Sequence, residues 1–131
     1  MTFVPKGWHT VTPRIFVDDP KGLVEFIHHV FDATGEFQAE RPTVVTIGDS
    51  MMMVSGTDFR PAMPAFLYVY VQDTDATYRR AVALGARVLE EPTATPYGDY
   101  RCMIEDMWGN TWQIATHIEA PRRSEAAETK F

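Results

Sequence analysis

The chain has 131 residues, 45% of them apolar, which is enough for one domain with its own core. Twelve basic and eighteen acidic side chains give a net charge of −6, which argues against a nucleic-acid partner and favours neutral or cationic ligands. The single cysteine, Cys102, excludes an internal disulfide, and no apolar run reaches the roughly 20 residues of a membrane span. We therefore expect a cytoplasmic protein that binds neither nucleic acid nor membrane, with Cys102 as a buried, inert thiol.

The first half of the chain begins with a strand followed by a helix. Residues 12–19, TPRIFVDD, alternate apolar and polar side chains, as a half-buried strand does. The segment 20–33 predicts a helix, because its apolar residues form one stripe and Pro20 stands in the first turn, where a missing N–H costs nothing. A strand, the turn Ile47-Gly48-Asp49-Ser50 and a last strand are expected to follow.

The second half repeats this order. Residues 66–73, FLYVYVQD, align with residues 12–19, and both stretches end in Val-x-Asp. A second helix is predicted over 74–84, with Gly85 as its stop. The dipeptide Gly109-Asn110 in DMWGNTWQI then predicts a two-residue hairpin turn before an outer strand. The repeat indicates two βαβββ modules.

Four stretches of the chain, taken in order, resemble those of one protein family. They are VTPRIFVDDP, IGDSMMMVSG, YVQDTDATYRRAVALGARVLEEP and YGDYRCMIEDMWGNTWQIATH. Their order and spacing are similar to those of the vicinal oxygen chelate superfamily, which includes glyoxalase I, extradiol dioxygenases, and fosfomycin- and bleomycin-resistance proteins. The last stretch is most similar to the PhnB-like branch of that superfamily, and the resemblance covers residues 10–119.

The resemblance implies an α+β fold in which two βαβββ modules form a curled, eight-stranded mixed sheet around a cleft. The modules would cover about 10–56 and 64–119 of a single domain, 1–119, which is followed by a C-terminal tail, 120–131. Many members are dimers, so the resemblance also implies a homodimer, arranged side by side or with swapped modules. In metal-dependent members, four side chains from the first and last strands of the modules hold a divalent ion in the cleft.

The resemblance also assigns the four metal-ligand positions of this chain. The first-strand position lies five residues before the Val of Val-x-Asp, and the last-strand position lies four residues after the turn glycine. A phenyl ring, a thioether and a hydroxyl cannot replace carboxylate or imidazole ligands, and the amide of Gln113 alone makes no site. We therefore predict no bound metal and no cofactor. The four positions are Thr12, Met52, Phe66 and Gln113.

Strand parity predicts which other residues line the cleft. If Thr12 and Phe66 face it, so do the residues two and four positions further along, because alternate side chains of a strand share a face. A concave aromatic surface with a few polar anchors is typical of a small-molecule site, although aromatic residues on strands also occur in cores and dimer interfaces. With Trp108 at the cleft edge, the predicted ligand-binding residues are Thr12, Arg14, Phe16, Met52, Phe66, Tyr68, Tyr70, Trp108 and Gln113.

The four histidines do not predict a metal site. His28 and His29 are adjacent on the first helix, so they point in different directions and are expected on its surface or in a subunit contact. His117 is expected as a polar residue at a strand end, with a role at the cleft rim as the alternative. His9 precedes the first strand and has no assigned role.

The acidic residues near the end of the chain predict no general acid–base pair. Asp99 and Arg101 lie in or beside a loop at the cleft mouth and either pair with each other or bind ligand. Glu105 and Asp106 stand beside the turn, where we expect them to be solvated or to cap it.

Three functions remain open on the sequence alone. We favour a metal-independent small-molecule-binding protein that resembles bleomycin-resistance proteins and sequesters an aromatic or amphipathic compound, as in antibiotic resistance. The second is a divergent enzyme of isomerase, lyase or transferase type that uses tyrosine, arginine or glutamine in place of a metal. The third is an interaction protein whose cleft has closed. The sequence identifies neither the ligand nor a catalysed reaction.

Overall fold

The computed structural model describes residues 3–118, and the predicted tail, 120–131, lies outside them. The chain divides between Ala65 and Phe66 into two compact units, each with one helix packed on one sheet. This is an α+β fold, as predicted. Within residues 3–118, neither helix has the length and apolar character needed to cross a membrane. The elements are β1 (Arg14–Phe16), α1 (Pro20–Phe31), β2 (Thr43–Ile47), β3 (Ser50–Ser55), β4 (Phe66–Tyr70), α2 (Thr74–Ala83), β5 (Arg87–Ala94), β6 (Asp99–Glu105) and β7 (Thr111–His117).

The first unit is a three-stranded sheet in the order β1-β3-β2, with β1 parallel and β2 antiparallel to β3. Helix α1 begins where Asp19 accepts a hydrogen bond from the Gly22 N–H at 3.0 Å and Pro20 supplies a preset φ. It ends two residues before the predicted bound, because Asp32 adopts a left-handed conformation with φ of 54°. One stripe of the helix is buried against the sheet: Leu23, Val24, Phe26, Ile27, Val30 and Phe31.

The second unit is a four-stranded sheet in the order β4-β7-β6-β5, with β4 parallel to β7 and the other pairs antiparallel. Helix α2 is capped by Asp73, whose carboxylate accepts from the Ala76 N–H at 3.1 Å. Thr74 ties the start of α2 to the sheet by donating to the Tyr100 carbonyl oxygen at 2.9 Å. The fully buried residues of β6 and β7 that face α2 form the core of this unit: Cys102, Ile104, Trp112 and Ile114.

The two units share a strand order, but the first lacks one strand. The place of β5 is taken there by an isolated bridge between Thr34 and Thr46, which exchange backbone hydrogen bonds of 3.0 and 2.9 Å. Gly35 follows with φ of +113°, and a Cβ at this position would collide with the Val44 carbonyl oxygen. Only glycine fits this close approach to β2, and the pairing here is limited to a single bridge. Residues 3–118 therefore contain seven strands rather than the eight that were predicted.

The turns before β3 and β7 differ in length. Ile47 pairs with Ser50, so only Gly48-Asp49 joins β2 to β3. Glu105 pairs with Thr111, so the five residues 106–110 join β6 to β7. The predicted two-residue turn at Gly109-Asn110 is therefore wrong.

The longer turn is organised by one buried carboxylate. Asp106 is 5% exposed and accepts hydrogen bonds of 2.9 Å from the backbone N–H groups of Trp108 and Asn110 and from the indole N–H of Trp112. Asp106 thus caps the turn from inside the protein, and the alternative of a solvated side chain does not hold for it. Glu105 instead pairs at the surface with Arg87.

Candidate functional site

The face of the second sheet opposite α2 carries aromatic and polar side chains; we call it the open face. Tyr68 pairs with Gln113, and Gln113 pairs with Met103, so the three share this face. The predicted residues Phe66 and Tyr70 lie on it as well and are 66% and 59% exposed. Four of the nine predicted ligand-binding residues are thus brought together. The open face consists of Phe66, Tyr68, Tyr70, Arg87, Glu90, Thr93, Asp99, Arg101, Met103, Glu105, Thr111, Gln113, Ala115 and His117.

Asp99 is the centre of a hydrogen-bond network on the open face. Its carboxylate is 1% exposed, and Oδ2 accepts from the hydroxyls of Tyr68 at 2.6 Å and Tyr70 at 2.8 Å. Its other oxygen, Oδ1, lies 3.0 Å from His117 Nδ1. Since an ionised carboxylate only accepts, all three neighbours act as donors. The network holds the two tyrosine rings 5.3 Å apart at a tilt of 54°.

The same contacts set the protonation states of the network. Burial acts to raise the pKa of Asp99, but the hydrogen bonds from Tyr68, His117 and Tyr70 outweigh it and hold that pKa below its usual value. Burial, followed by the bond to Asp99, raises the pKa of the Tyr68 hydroxyl. The bond to Asp99 is the main cause that raises the pKa of Tyr70. At neutral pH the carboxylate is therefore ionised and both phenols are protonated.

A second arm of the network begins at Tyr97, whose hydroxyl oxygen lies 3.3 Å from that of Tyr68. Arg101 donates from Nη1 to the Tyr97 hydroxyl, and its Nη2 forms an ion pair with Glu90 at 3.1 Å. Of the two alternatives for Asp99 and Arg101, pairing with each other is wrong, because each has its own partners.

In the first unit, two predicted residues line a cavity of about 280 Å³. Arg14 donates from Nε to Ser55 Oγ at 2.9 Å, and its guanidinium carbon lies 4.9 Å from the centroid of the Phe16 ring. The loops 38–42 and 56–59 form most of the remaining wall. The guanidinium is thus held in place at a concave surface of small-ligand size.

Met52 does not share a face with Arg14, contrary to the prediction. Arg14 pairs with Met53 and Ile15 pairs with Val54, so Met52 lies on the side of Ile15, towards α1. There it is 4% exposed and belongs to the core.

The error has a physical cause in the unequal turns. The glycine opens a two-residue turn in the first unit but is the fourth of five turn residues in the second. Measured from the pairing with the first strand, the residue opposite Arg14 lies five residues after Gly48, whereas the residue opposite Tyr68 lies four residues after Gly109. Counting four residues from each glycine therefore reaches opposite faces in the two sheets, since a shift of one residue inverts strand parity. The residue that corresponds to Gln113 is Met53, which pairs with Arg14 as Gln113 pairs with Tyr68.

The remaining predicted positions do not complete a metal site. Thr12 precedes β1 and is half-buried, Phe66 has no lone pair, and Met53 replaces one thioether with another. These positions lack the carboxylate and imidazole ligands of the metal-dependent members. Within residues 3–118, no group of three or more His, Cys, Asp or Glu side chains is arranged to hold a metal ion.

Trp108 lies in the turn between β6 and β7 and is half-buried, with its backbone N–H bound to Asp106. Its contact with a ligand stays a prediction, as does the convergence of residues from both units on one cleft.

Sequence reasoning missed the role of Asp99 and the pairing of His117 with it. A usable signal was present, because Tyr68 and Tyr70 share a strand face and their hydroxyls need a common acceptor when they are partly buried. The acceptor comes within reach only through the strand register. Asp99 pairs with His117, four residues along the strands from the pair of Met103 and Gln113 and on the same face.

Known proteins resemble this chain in sequence and in fold. An uncharacterized protein from Mycobacterium bovis is 24% identical over 126 residues, which cover 82% of this chain and 83% of that protein. TioX from Micromonospora sp. ML1 has a similar structure, with a TM-score of 0.72 at 20% identity over 84% of this chain and 99% of TioX. The fosfomycin resistance protein FosX from Listeria monocytogenes, solved with Mn(II) and sulfate, gives a TM-score of 0.66 at 15% identity over 92% of this chain and 95% of FosX.

These two structures, at such low identities, establish the fold alone. The family follows from the sequence profile that matches residues 7–114, most of the chain. The chain belongs to the glyoxalase/bleomycin resistance protein/dioxygenase superfamily.

Proposed function

We propose that this chain binds an aromatic or amphipathic small molecule on the open face of the second sheet, without a metal. The observation that carries the proposal is the exposure of two aromatic rings, Phe66 at 66% and Tyr70 at 59%, on the same sheet face as the half-buried amide of Gln113. An exposed aromatic surface with a polar anchor beside it is a common form of ligand site.

The hydrogen bonds of Tyr68 and Tyr70 to Asp99 support a ligand site rather than a closed cleft. Because the Tyr68 and Tyr70 hydroxyls are both held by Asp99, the rings are fixed before a ligand arrives. A ligand then loses less free energy in ordering the site. Each stacked aromatic contact contributes about 0.5–1.5 kcal/mol beyond the burial of area, so two contacts with burial suffice for micromolar affinity.

The proposal extends to the finer family assignment and to assembly. The YGD…GNTWQIATH ending supports a place in the PhnB-like branch and a role like that of bleomycin-resistance proteins. We also propose a homodimer, as in many members of the superfamily. The cavity beside Arg14 and Phe16 supports small-molecule binding by the first unit as well.

The proposal is tested by native mass spectrometry of the purified protein against a small-molecule library, with metals analysed in the same sample. Binding by the wild type that is lost in Tyr70→Ala and retained in Tyr78→Ala supports it, because Tyr78 lies on α2, on the other side of the sheet. Ligands that bind both variants equally would refute it and favour the alternative of an interaction surface.

One observation favours a second candidate function, general-base catalysis without a metal. His117 Nδ1 lies 3.0 Å from the buried Asp99 carboxylate, while the His117 side chain is 56% exposed. The carboxylate holds the hydrogen on Nδ1, so that Nε2 presents its lone pair to a substrate. Tyr68 and Tyr70 do not serve as the base, because their raised pKa values keep them protonated.

The two functions are separated by following each ligand over time with proton NMR. Conversion of a bound compound that stops in His117→Gln, while binding persists, supports catalysis. Compounds that bind and stay unchanged for hours in the wild type refute it and leave the binding proposal intact.

A further inference from the structure

We infer that the open face of the second sheet selects aromatic ligands that carry a cationic amine. The inference rests on the proposed function and adds the chemical class of the ligand. Three features of the open face carry it: the direction of the phenol hydrogens, the balance of charges, and the exposure of the rings.

The first feature is that both phenol hydrogens are already used. The Tyr68 and Tyr70 hydroxyls each donate to Asp99 Oδ2, at 2.6 and 2.8 Å. A phenol has only one hydrogen to donate, so each oxygen offers only lone pairs to any further partner. Tyr68 uses this capacity next to the Tyr97 hydroxyl, 3.3 Å away, whereas Tyr70 is the more exposed of the two. The open face therefore accepts hydrogen bonds at Tyr70 and favours the binding of a ligand that donates them.

The second feature is the balance of charges on the open face, which is negative when His117 is neutral. Arg101 is paired with Glu90, and Arg87 is paired with Glu105. The remaining carboxylate of the face is Asp99, and its ionised form is favoured by a lowered pKa. Its other neighbour is His117, which faces it from β7 and carries no charge in its neutral form. With His117 neutral, the formal charge of the open face is negative.

The third feature is the ring surface beside this charge. Phe66 and Tyr70 present exposed aromatic rings, and the carboxylate bound to the Tyr70 hydroxyl makes that ring more electron-rich. A ring face attracts an ammonium group through its quadrupole, and a neighbouring carboxylate adds to the attraction. An anionic ligand meets lone pairs and negative charge at the same place. The open face thus distinguishes ligands of one shape by their charge.

The test uses three indole compounds that share a ring and differ in the side chain: tryptamine, tryptophol and indole-3-acetate. Calorimetric titration at pH 7 in low salt should give the tightest binding for cationic tryptamine, about tenfold tighter than neutral tryptophol, with indole-3-acetate weakest. Added salt should reduce the preference for tryptamine, because the attraction between exposed charges is screened.

Two variants locate the source of the preference. Asp99→Asn should bring the affinities for tryptamine and tryptophol within about twofold of each other. Asp75→Asn is the matched control, since Asp75 accepts from the Tyr100 hydroxyl at 2.9 Å and lies on α2, on the other side of the sheet. It removes the same charge and should leave the tenfold preference in place. Where Asp99→Asn does not fold, Tyr70→Phe is the second variant: it keeps the ring, removes the hydroxyl oxygen that accepts hydrogen bonds, and should reduce the preference for tryptamine.

The possible outcomes separate the inference from the proposed function. Equal binding of tryptamine and tryptophol by the wild type, with weaker binding to Tyr70→Ala, would overturn the cation preference and leave the aromatic site standing. An equal loss of preference in Asp99→Asn and Asp75→Asn would also overturn it, because the overall charge would then be the cause. No binding of any of the three compounds at millimolar concentration would contradict both.

Discussion

Tyr68 donates its hydroxyl hydrogen to Asp99 across 2.6 Å and so joins β4 to β6 over the strand that lies between them, β7. The two side chains meet above this strand because Ala115, which pairs with Tyr70 on one side and Arg101 on the other, is small. Ala115 is fully buried even though it belongs to the open face. This hydrogen bond thus holds the Tyr68 ring in place above the buried Ala115.

The first prediction concerns the stability that Asp99 provides. Asp99→Ala should lower the free energy of unfolding by about 3–5 kcal/mol, because a buried carboxylate is lost and its three donors are left without an acceptor. Asp18→Ala, at an exposed position, should change it by less than about 0.5 kcal/mol. Urea unfolding measures both. A loss below about 1 kcal/mol in Asp99→Ala would contradict the network described here.

The second prediction is the pH dependence of this stability. The folded pKa of Asp99 is lowered from its usual 3.8, so its contribution is present above that pH and is lost as the pH falls through the folded value. The pKa values of Tyr68 and Tyr70 are raised from 10.0, so their contribution is present below pH 10 and is lost as the pH rises through the folded values. Urea unfolding between pH 2 and 11 should show the beginning of both losses in the wild type. In Asp99→Ala the free energy of unfolding should fall less steeply with pH at both ends of the range. Unchanged slopes would contradict the assignment of these losses to the Asp99 network.

The third prediction tests which methionine of β3 belongs to the core. Met52→Ala should cost about 2–5 kcal/mol, because its side chain is 4% exposed and a cavity is left towards α1. Met53→Ala should cost about 1 kcal/mol or less, since this residue is half-buried on the other face beside Arg14. The two variants are matched in chemistry and adjacent in sequence. A larger loss in Met53→Ala would reverse the strand parity given above.

The fourth prediction concerns the turn before β7. Asp106→Ala should cost about 3–5 kcal/mol, because the N–H groups of Trp108, Asn110 and Trp112 lose a buried acceptor. Met107→Ala in the same turn should be near neutral, since Met107 is exposed. Equal midpoints in thermal unfolding for the two variants would show that the turn does not depend on the carboxylate.

Much of the fold was accessible from the sequence, because it rests on local signals. Pro20 marked the first turn of α1, and the apolar stripe after it marked the buried face. Alternation along the first strand separated Ile15 and Val17, which are 1% and 2% exposed, from Arg14 and Phe16 on the other face of that strand. The two-unit order followed from the repeat of Val-x-Asp.

The errors lie where long-range contacts decide the structure. Gly48 and Gly109 look equivalent in sequence, but the buried side chain of Asp106 stabilises a longer turn at the second of them and changes the strand parity. The first unit has a single bridge in place of one strand, beside the close approach of Gly35 to β2, which no local pattern predicts. The role of Asp99 depends on register across three strands.

Titration of the labelled protein, followed by amide NMR spectra, tests most directly that the open face of the second sheet binds a small molecule. The ligand is the strongest binder from the library screen, added to the wild type and to Tyr70→Ala. We predict shift changes centred on Phe66, Tyr70 and Gln113, and a loss of affinity of about tenfold or more in the variant. Shift changes confined to α2, or equal affinities of the two proteins, would contradict the account.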